Sequence, residues 1–145
     1  MIAEVWFPIQ KDEDGYPQSR DSEGLRCEIT DERSGLAEVQ SVPFYLKEVA
    51  YGDTIRIKNN PAGYREFDNV ERRGGCSVYR LLLHDISRLD EVQEKLLDFG
   101  VFLERDDSLI AIAAPPDVDS DALVDYILEG KRSGLWGSQD GYIAD

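Results

Sequence analysis

The spacing of apolar residues changes from two to about three and a half near residue 76, and that change restricts the possible folds more than any motif does. Before it, Thr54 to Lys58 alternates, with Ile55 and Ile57 facing one side and Arg56 and Lys58 the other. After it, Leu89, Val92, Leu96 and Phe99 share one helical face, and Leu123 and Ile127 stand one turn apart. A chain that begins with period-two segments and continues with helices between strands belongs to the α+β class.

The first half, residues 1–75, reads as strands. Met1 to Ile9 is rich in β-branched and aromatic residues. Leu25 to Thr30 and Leu36 to Val42 flank Asp31-Glu32-Arg33-Ser34-Gly35, a connection that suits a hairpin. Thr54 to Lys58 and Tyr64 to Val70 flank a turn containing Asn60-Pro61-Ala62-Gly63. Together they predict a small antiparallel sheet. Gln10 to Gly24, dense in charge, Gly, Pro and Ser, reads as a long exposed connection.

The second half, residues 76–145, alternates strands with helices. A strand over Val78 to His84 precedes Ser87-Arg88-Leu89-Asp90, which resembles a capping box, and a helix that Gly100 ends. Val101 to Leu103 and Leu109 to Ala113 form a hairpin, with Glu104, Asp106 and Asp107 at its tip. Asp117, Asp119 and Asp121 favour the start of a helix over Ala122 to Glu129, with Gly130 as its stop. This order is most of a split βαβ, or ferredoxin-like, unit with two helices. Its last strand comes from the first half or from Gly141 to Ala144. The whole chain is expected to form a single α+β domain.

Charge narrows the function classes. The chain carries 30 acidic against 16 basic residues, a net charge of −14. Such a surface repels phosphate backbones, so nucleic acid is excluded as a partner. It accelerates encounter with a basic protein. The longest uncharged apolar stretch, Leu109 to Pro116, is far shorter than the roughly 20 residues a spanning helix needs. Without a positively charged leader either, the protein is expected to be cytoplasmic and away from membranes.

Few residues suggest chemistry. Cys27, Cys76 and His84 are too few for a zinc site. Asp117-Val118-Asp119-Ser120-Asp121 starts like a calcium loop, but Ala122 and Leu128 stand where Gly and Glu are needed. Asp12-Glu13-Asp14-Gly15 reads as a solvated loop rather than a cation site. His84 beside Asp85 is a candidate base. One strand would place it about 26 Å from Cys76, too far for a dyad. No cofactor or metal is expected, and an enzyme is not the leading reading.

Val42-Pro43-Phe44-Tyr45, Ala50-Tyr51-Gly52-Asp53 and Arg73-Gly74-Gly75-Cys76-Ser77 leading to Tyr79-Arg80, with Gly15-Tyr16-Pro17 and the Glu28 region upstream, resemble the bacterial domain-of-unknown-function family 4265. The resemblance implies a shared fold and no settled activity. On physical grounds alone, Gly52 supplies a positive φ and Asp53 closes a turn. Alternatively, Asp53, Arg73, Cys76 and Arg80 line one pocket for a small anion or a substrate.

The leading expectation is an acidic, non-enzymatic binding protein, most concretely an immunity protein or antitoxin that neutralises a basic, nuclease-like toxin. Asp90, Glu94 and Asp98 repeat every four residues, a spacing that costs some tenths of a kcal/mol per like-charged pair and suggests a use. With Glu91, Glu104, Asp106 and Asp107 they would form one negative face. Trp136 and Tyr142 are either its aromatic anchors or docked on the protein's own sheet. The anion pocket, in a binding module or an enzyme, is the alternative.

Overall fold

The computed structural model describes residues 1–10 and 20–145. Most of the connection Gln10 to Gly24, the Gly15-Tyr16-Pro17 motif and Asp12 to Gly15 therefore lie outside the described residues.

Five strands of the first half, β1 (Ile2–Pro8), β2 (Ser22–Asp31), β3 (Leu36–Val39), β4 (Thr54–Asn59) and β5 (Arg65–Arg72), follow one another as an antiparallel meander. The expected sheet does not stay open. It closes into a barrel by pairing Val5 and Trp6 of β1 with Arg65 and Glu66 of β5. With an odd number of alternating strands, the first and last run in the same direction, so this seam is parallel. Val5, Phe7, Leu25, Cys27, Val39 and Ile55 point inward and are buried, as their alternation requires. The β2–β3 turn is closed by Asp31, whose carboxylate accepts from the Arg33 and Ser34 amides and the Ser34 hydroxyl.

The second half is a complete split βαβ unit. Its elements are β6 (Ser77–Leu83), α1 (Leu89–Asp98), β7 (Phe102–Asp106), β8 (Leu109–Ala114), α2 (Ser120–Arg132) and β9 (Trp136–Asp140), with spatial strand order β7-β8-β6-β9. The last strand is β9, earlier than Gly141 to Ala144. That tail instead extends the pairing, because Gly141 N donates to Val78 O and Val78 N to Tyr142 O. Both helices cover one face of the sheet, packing Val92, Leu96, Leu123 and Ile127 on Leu81 and Ile112.

Both helix boundaries depart from expectation. A 3-10 turn, Ile86–Arg88, leads into α1, and the cap is Asp85, which accepts from Ser87 N at 3.0 Å and from the Ser87 hydroxyl at 2.6 Å. Ser87 therefore donates to a cap instead of being one. Gly130 does not stop α2. It lies inside the helix because the Trp136 indole rests against it and leaves no room for a Cβ. The chain turns away at Gly134, where φ is 77°. Among the described residues, no helix is long and apolar enough to cross a membrane.

The two halves meet through the β3–β4 linker, residues 40–53. Leu46 and Val49 of the linker plug the barrel, while Val42 and Ala50 pack on Val78, Ala111 and Ala113 of the sheet. The linker therefore holds both cores together.

Candidate functional site

Side chains alternate between sheet faces, so the register of the second sheet determines what its helix-free face presents. Three rows cross that face. Phe102, Ala113 and Val78 form the first, Glu104, Ala111, Arg80 and Gln139 the second, and Asp106, Leu109, Leu82 and Gly137 the third. The barrel and linker pack on the first row, where Tyr51 stacks on the half-exposed Phe102 at 4.9 Å and Val42 and Ala50 cover Val78 and Ala113.

The second row grips the linker. Glu104 accepts from Val42 N at 2.6 Å and pairs with Arg26 of the barrel at 3.3 Å. Arg80, only 2% exposed, donates from Nε to Pro43 O at 3.2 Å, from Nη2 to Leu46 O, and from Nη1 to Gln139 Oε1 at 3.4 Å. From the barrel side, Glu23 accepts from Phe44 N at 2.7 Å and Tyr45 N at 3.0 Å. Burial raises the Glu23 carboxyl above its ordinary value, against the lowering effects of those amides and of the Arg80 charge. Four linker residues are thus held through their backbone by two oppositely charged side chains, the buried Arg80 and the half-buried Glu23.

The third row is bare. Leu82 sits on a central strand, yet it is 50% exposed. Leu82, Leu109 and Gly137 floor a groove of about 540 Å³, walled by Phe44 and Tyr45 of the linker on one side and by Gln139 and Arg80 along its length. Asp106 and Asp107 stand at the hairpin end. A Cβ on Gly137 would meet nothing within 4 Å, so the glycine leaves the floor open. A second cavity, of about 560 Å³, lies on the barrel near its seam, among Trp6, Tyr64, Phe67 and Lys58. It reaches Asp21 and Ser22, shortly after residues 11–19, which lie outside the described residues.

Of the expected anion pocket, Asp53 and Arg73 come together, with Cys76 close enough to feel the Asp53 charge. Gly52 has φ of 87°, and Asp53, 1% exposed, closes the turn by accepting from Ala50 N at 3.0 Å and Gly74 N at 2.9 Å. Asp53 also accepts from Arg73 Nη1 at 2.9 Å; Arg73 donates to Glu48 O as well, and its guanidinium lies 3.9 Å from the Tyr142 ring. The Cys76 thiol is buried, and burial followed by the charges of Asp53 and Asp117 raises it away from the reactive thiolate. Burial pushes the Cys27 thiol up to about 12. Of the four residues proposed to share one pocket, Arg80 alone borders the groove, while Asp53, Arg73 and Cys76 build the joint beside it.

The expected acidic face is divided. Asp90, Glu91, Glu94 and Asp98 are exposed on α1, with Arg105 reaching back to Asp90 at 3.5 Å. Glu104 and Asp106 alternate with Leu103 and Arg105 and point to the opposite side of the sheet. Glu104 is spent on the joint. Trp136 is no surface anchor: it is 2% exposed and its indole N–H donates to Ile127 O at 3.0 Å, because β9 places it under α2. Tyr142 packs on Arg73. His84 is not held by Asp85, whose carboxylate serves Ser87; its Nδ1 lies 2.9 Å from the Gly134 carbonyl.

Among the described residues, no group of three or more His, Cys, Asp and Glu side chains is placed to hold a metal. Sequence reasoning missed Glu23, Leu82 and Gly137. Only the cross-strand register brings the last two side by side, and only the long β2–linker contact reveals the first.

Comparison with protein families matches residues 23–138 to the family described as Domain of unknown function (DUF4265). No curated protein matches. A solved structure described as a novel crystal structure of a hypothetical protein from Neisseria gonorrhoeae is 12% identical, covering 99% of this chain and 97% of that one with a TM-score of 0.80. That likeness shows a shared fold.

Proposed function

The chain belongs to the DUF4265 family, and on that premise we propose that it is a binding module whose ligand lies in the groove bordered by Arg80, between the linker and the bare third row of the second sheet. The observation that carries this reading is the half-exposed Leu82 on a central strand, flanked by Leu109 and Gly137. Apolar concavities with a few fixed polar groups, placed where two substructures meet, are common ligand sites. Two features favour binding over catalysis. The Cys76 thiol is raised by burial and neighbouring acids, and Arg80 is committed to linker carbonyls.

An NMR titration with apolar amines, apolar carboxylates and short peptides tests the reading. Amide shifts are expected at Phe44, Leu82, Leu109 and Gln139, and they should vanish in Gly137→Phe, where the new ring enters open space without a backbone clash. Shifts that persist in that variant, or that never include the groove, reject it.

A second reading, an immunity protein or antitoxin that blocks a basic toxin in the cytoplasm, draws on the helical layer. There Asp90, Glu91, Glu94 and Asp98 of α1 and Asp121, Asp125 and Glu129 of α2 are all exposed. Replacing Asp90, Glu94 and Asp98 by Lys should then slow association with such a partner and weaken its salt dependence. Unchanged association removes this face from the interface.

A further inference from the structure

We propose that the occupant of the groove is a segment of a partner protein in which basic side chains alternate with apolar ones. This inference rests on the binding-module reading and specifies its ligand. The floor is apolar, from Leu82 and Leu109, and one wall is aromatic, from Phe44 and Tyr45. The one cation among the lining residues, Arg80, already donates to Pro43 O, Leu46 O and Gln139 Oε1, and the Glu23 charge lies close to it. At the open end stand Asp106 and Asp107, both exposed and neither in an ion pair among the described residues.

Among the lining residues, an anionic ligand would meet those two carboxylates with only Arg80, already committed to the linker, to offset them. A purely apolar ligand would leave them unused and exposed. A cationic head on an apolar stem matches both parts, because Lys and Arg side chains bury their methylenes and extend their charge to the rim. The aromatic wall suits the same chemistry: Arg20 of this chain already lies over the Tyr45 ring at 4.8 Å. The third row, four residues across the sheet from Asp106 to Gly137, is long enough to seat several side chains of an extended segment. At about 4.8 Å between neighbouring strands this row spans about 14 Å, the length of some four residues of extended chain.

The test uses the full chain and three probes: a capped peptide alternating arginine with leucine, its counterpart with glutamate in place of arginine, and arginine amide. Amide shifts at Phe44, Leu82 and Gln139 locate binding. The basic peptide is expected to bind in the groove, to weaken as salt is raised, and to lose about tenfold in affinity in Asp106→Lys combined with Asp107→Asn. Asn is chosen at Asp107 because φ there is 57°, which Asn tolerates. Equal binding of the glutamate peptide, an unchanged affinity in the double variant, or shifts confined to Glu94 and Asp98 on α1 would overturn the inference. If the glutamate peptide occupies the groove instead, the binding-module reading stands and the basic occupant does not. If no probe moves a groove residue, both are rejected.

Discussion

At the scale of single residues, Glu23 shows how a carboxylate can be necessary and costly at once. It organises the Phe44 and Tyr45 amides, yet burial raises its carboxyl above the ordinary 4.5. An acid whose folded value is raised binds more protons folded than unfolded over the interval between the two values. Stability therefore falls as pH rises from about 4.5 through the folded value, where the loss is complete. The surface acids Asp31, Asp85 and Glu71 act with the opposite sign. Hydrogen bonds from Ser34, Ser87 and Arg56 lower them, so their contribution is present above the unfolded value and disappears as pH falls through the folded one. Denaturant midpoints of the wild type and Glu23→Gln between about pH 4 and 8 separate these effects. The stability of the variant relative to the wild type should increase with pH above 4.5 by up to about 1.4 kcal/mol per pH unit until the Glu23 interval ends. A parallel pair of curves would show that the carboxyl is not perturbed.

At the scale of elements, α2 gives the most direct test of packing. Gly to Ala inside a helix ordinarily gains about 0.5–1 kcal/mol. At Gly130 the sign should reverse, to a loss of about 1–3 kcal/mol, because the Trp136 ring fills that space and its N–H is tied to Ile127 O. Chemical denaturation of Gly130→Ala measures it; a gain would mean that the indole yields. The same residue shows where sequence reading succeeds and fails. The strand and helix identities follow from periods of two and three and a half, as with Ile55 and Ile57 or Val92 and Leu96, because those periods are written in neighbouring residues. Gly130 reads as a stop because its real reason, an aromatic ring from the next strand, is tertiary. For the same cause the sequence leaves Trp136 open between an interface anchor and a docked ring, and the structure has it docked under α2. The Gly52-Asp53 turn was legible because it is local chemistry, whereas the groove needs the lateral alignment of Leu109, Leu82 and Gly137 from three strands.

At the scale of the whole molecule, the two cores depend on a few polar ties across the linker. Glu104 connects the second sheet to Val42 N of the linker and to Arg26 of the barrel. Glu104→Ala leaves the Val42 amide without its acceptor, which costs about 1–3 kcal/mol. Because the lost contacts lie between the halves, the barrel and the sheet should then unfold with less coincident transitions, seen as a divergence between fluorescence of Trp6 in the barrel and of Trp136 under α2. Each tryptophan belongs to a different half, Trp6 on a barrel strand and Trp136 in the core of the second sheet, so single Trp→Phe versions of the variant resolve the two signals. Coincident transitions at the wild-type midpoint would show that the apolar contacts of Val42, Ala50, Val78 and Ala113 suffice.

The parallel seam of the barrel also bears on how the chain reaches this state. Val5 must find Arg65, sixty residues along the chain, whereas β7 and β8 are joined by a tight hairpin. Loop-closure entropy makes so distant a pairing slow relative to local ones. The edges of β1 and β5 therefore remain open longest during synthesis and refolding, and an open edge can accept a strand from another molecule. Arg65 and Glu66, the residues of β5 that complete the seam, place opposite charges along that edge. Until it closes, that edge offers a second copy of the chain an Arg and a Glu that could pair with their own opposites, so the slow seam is also the point most open to self-association.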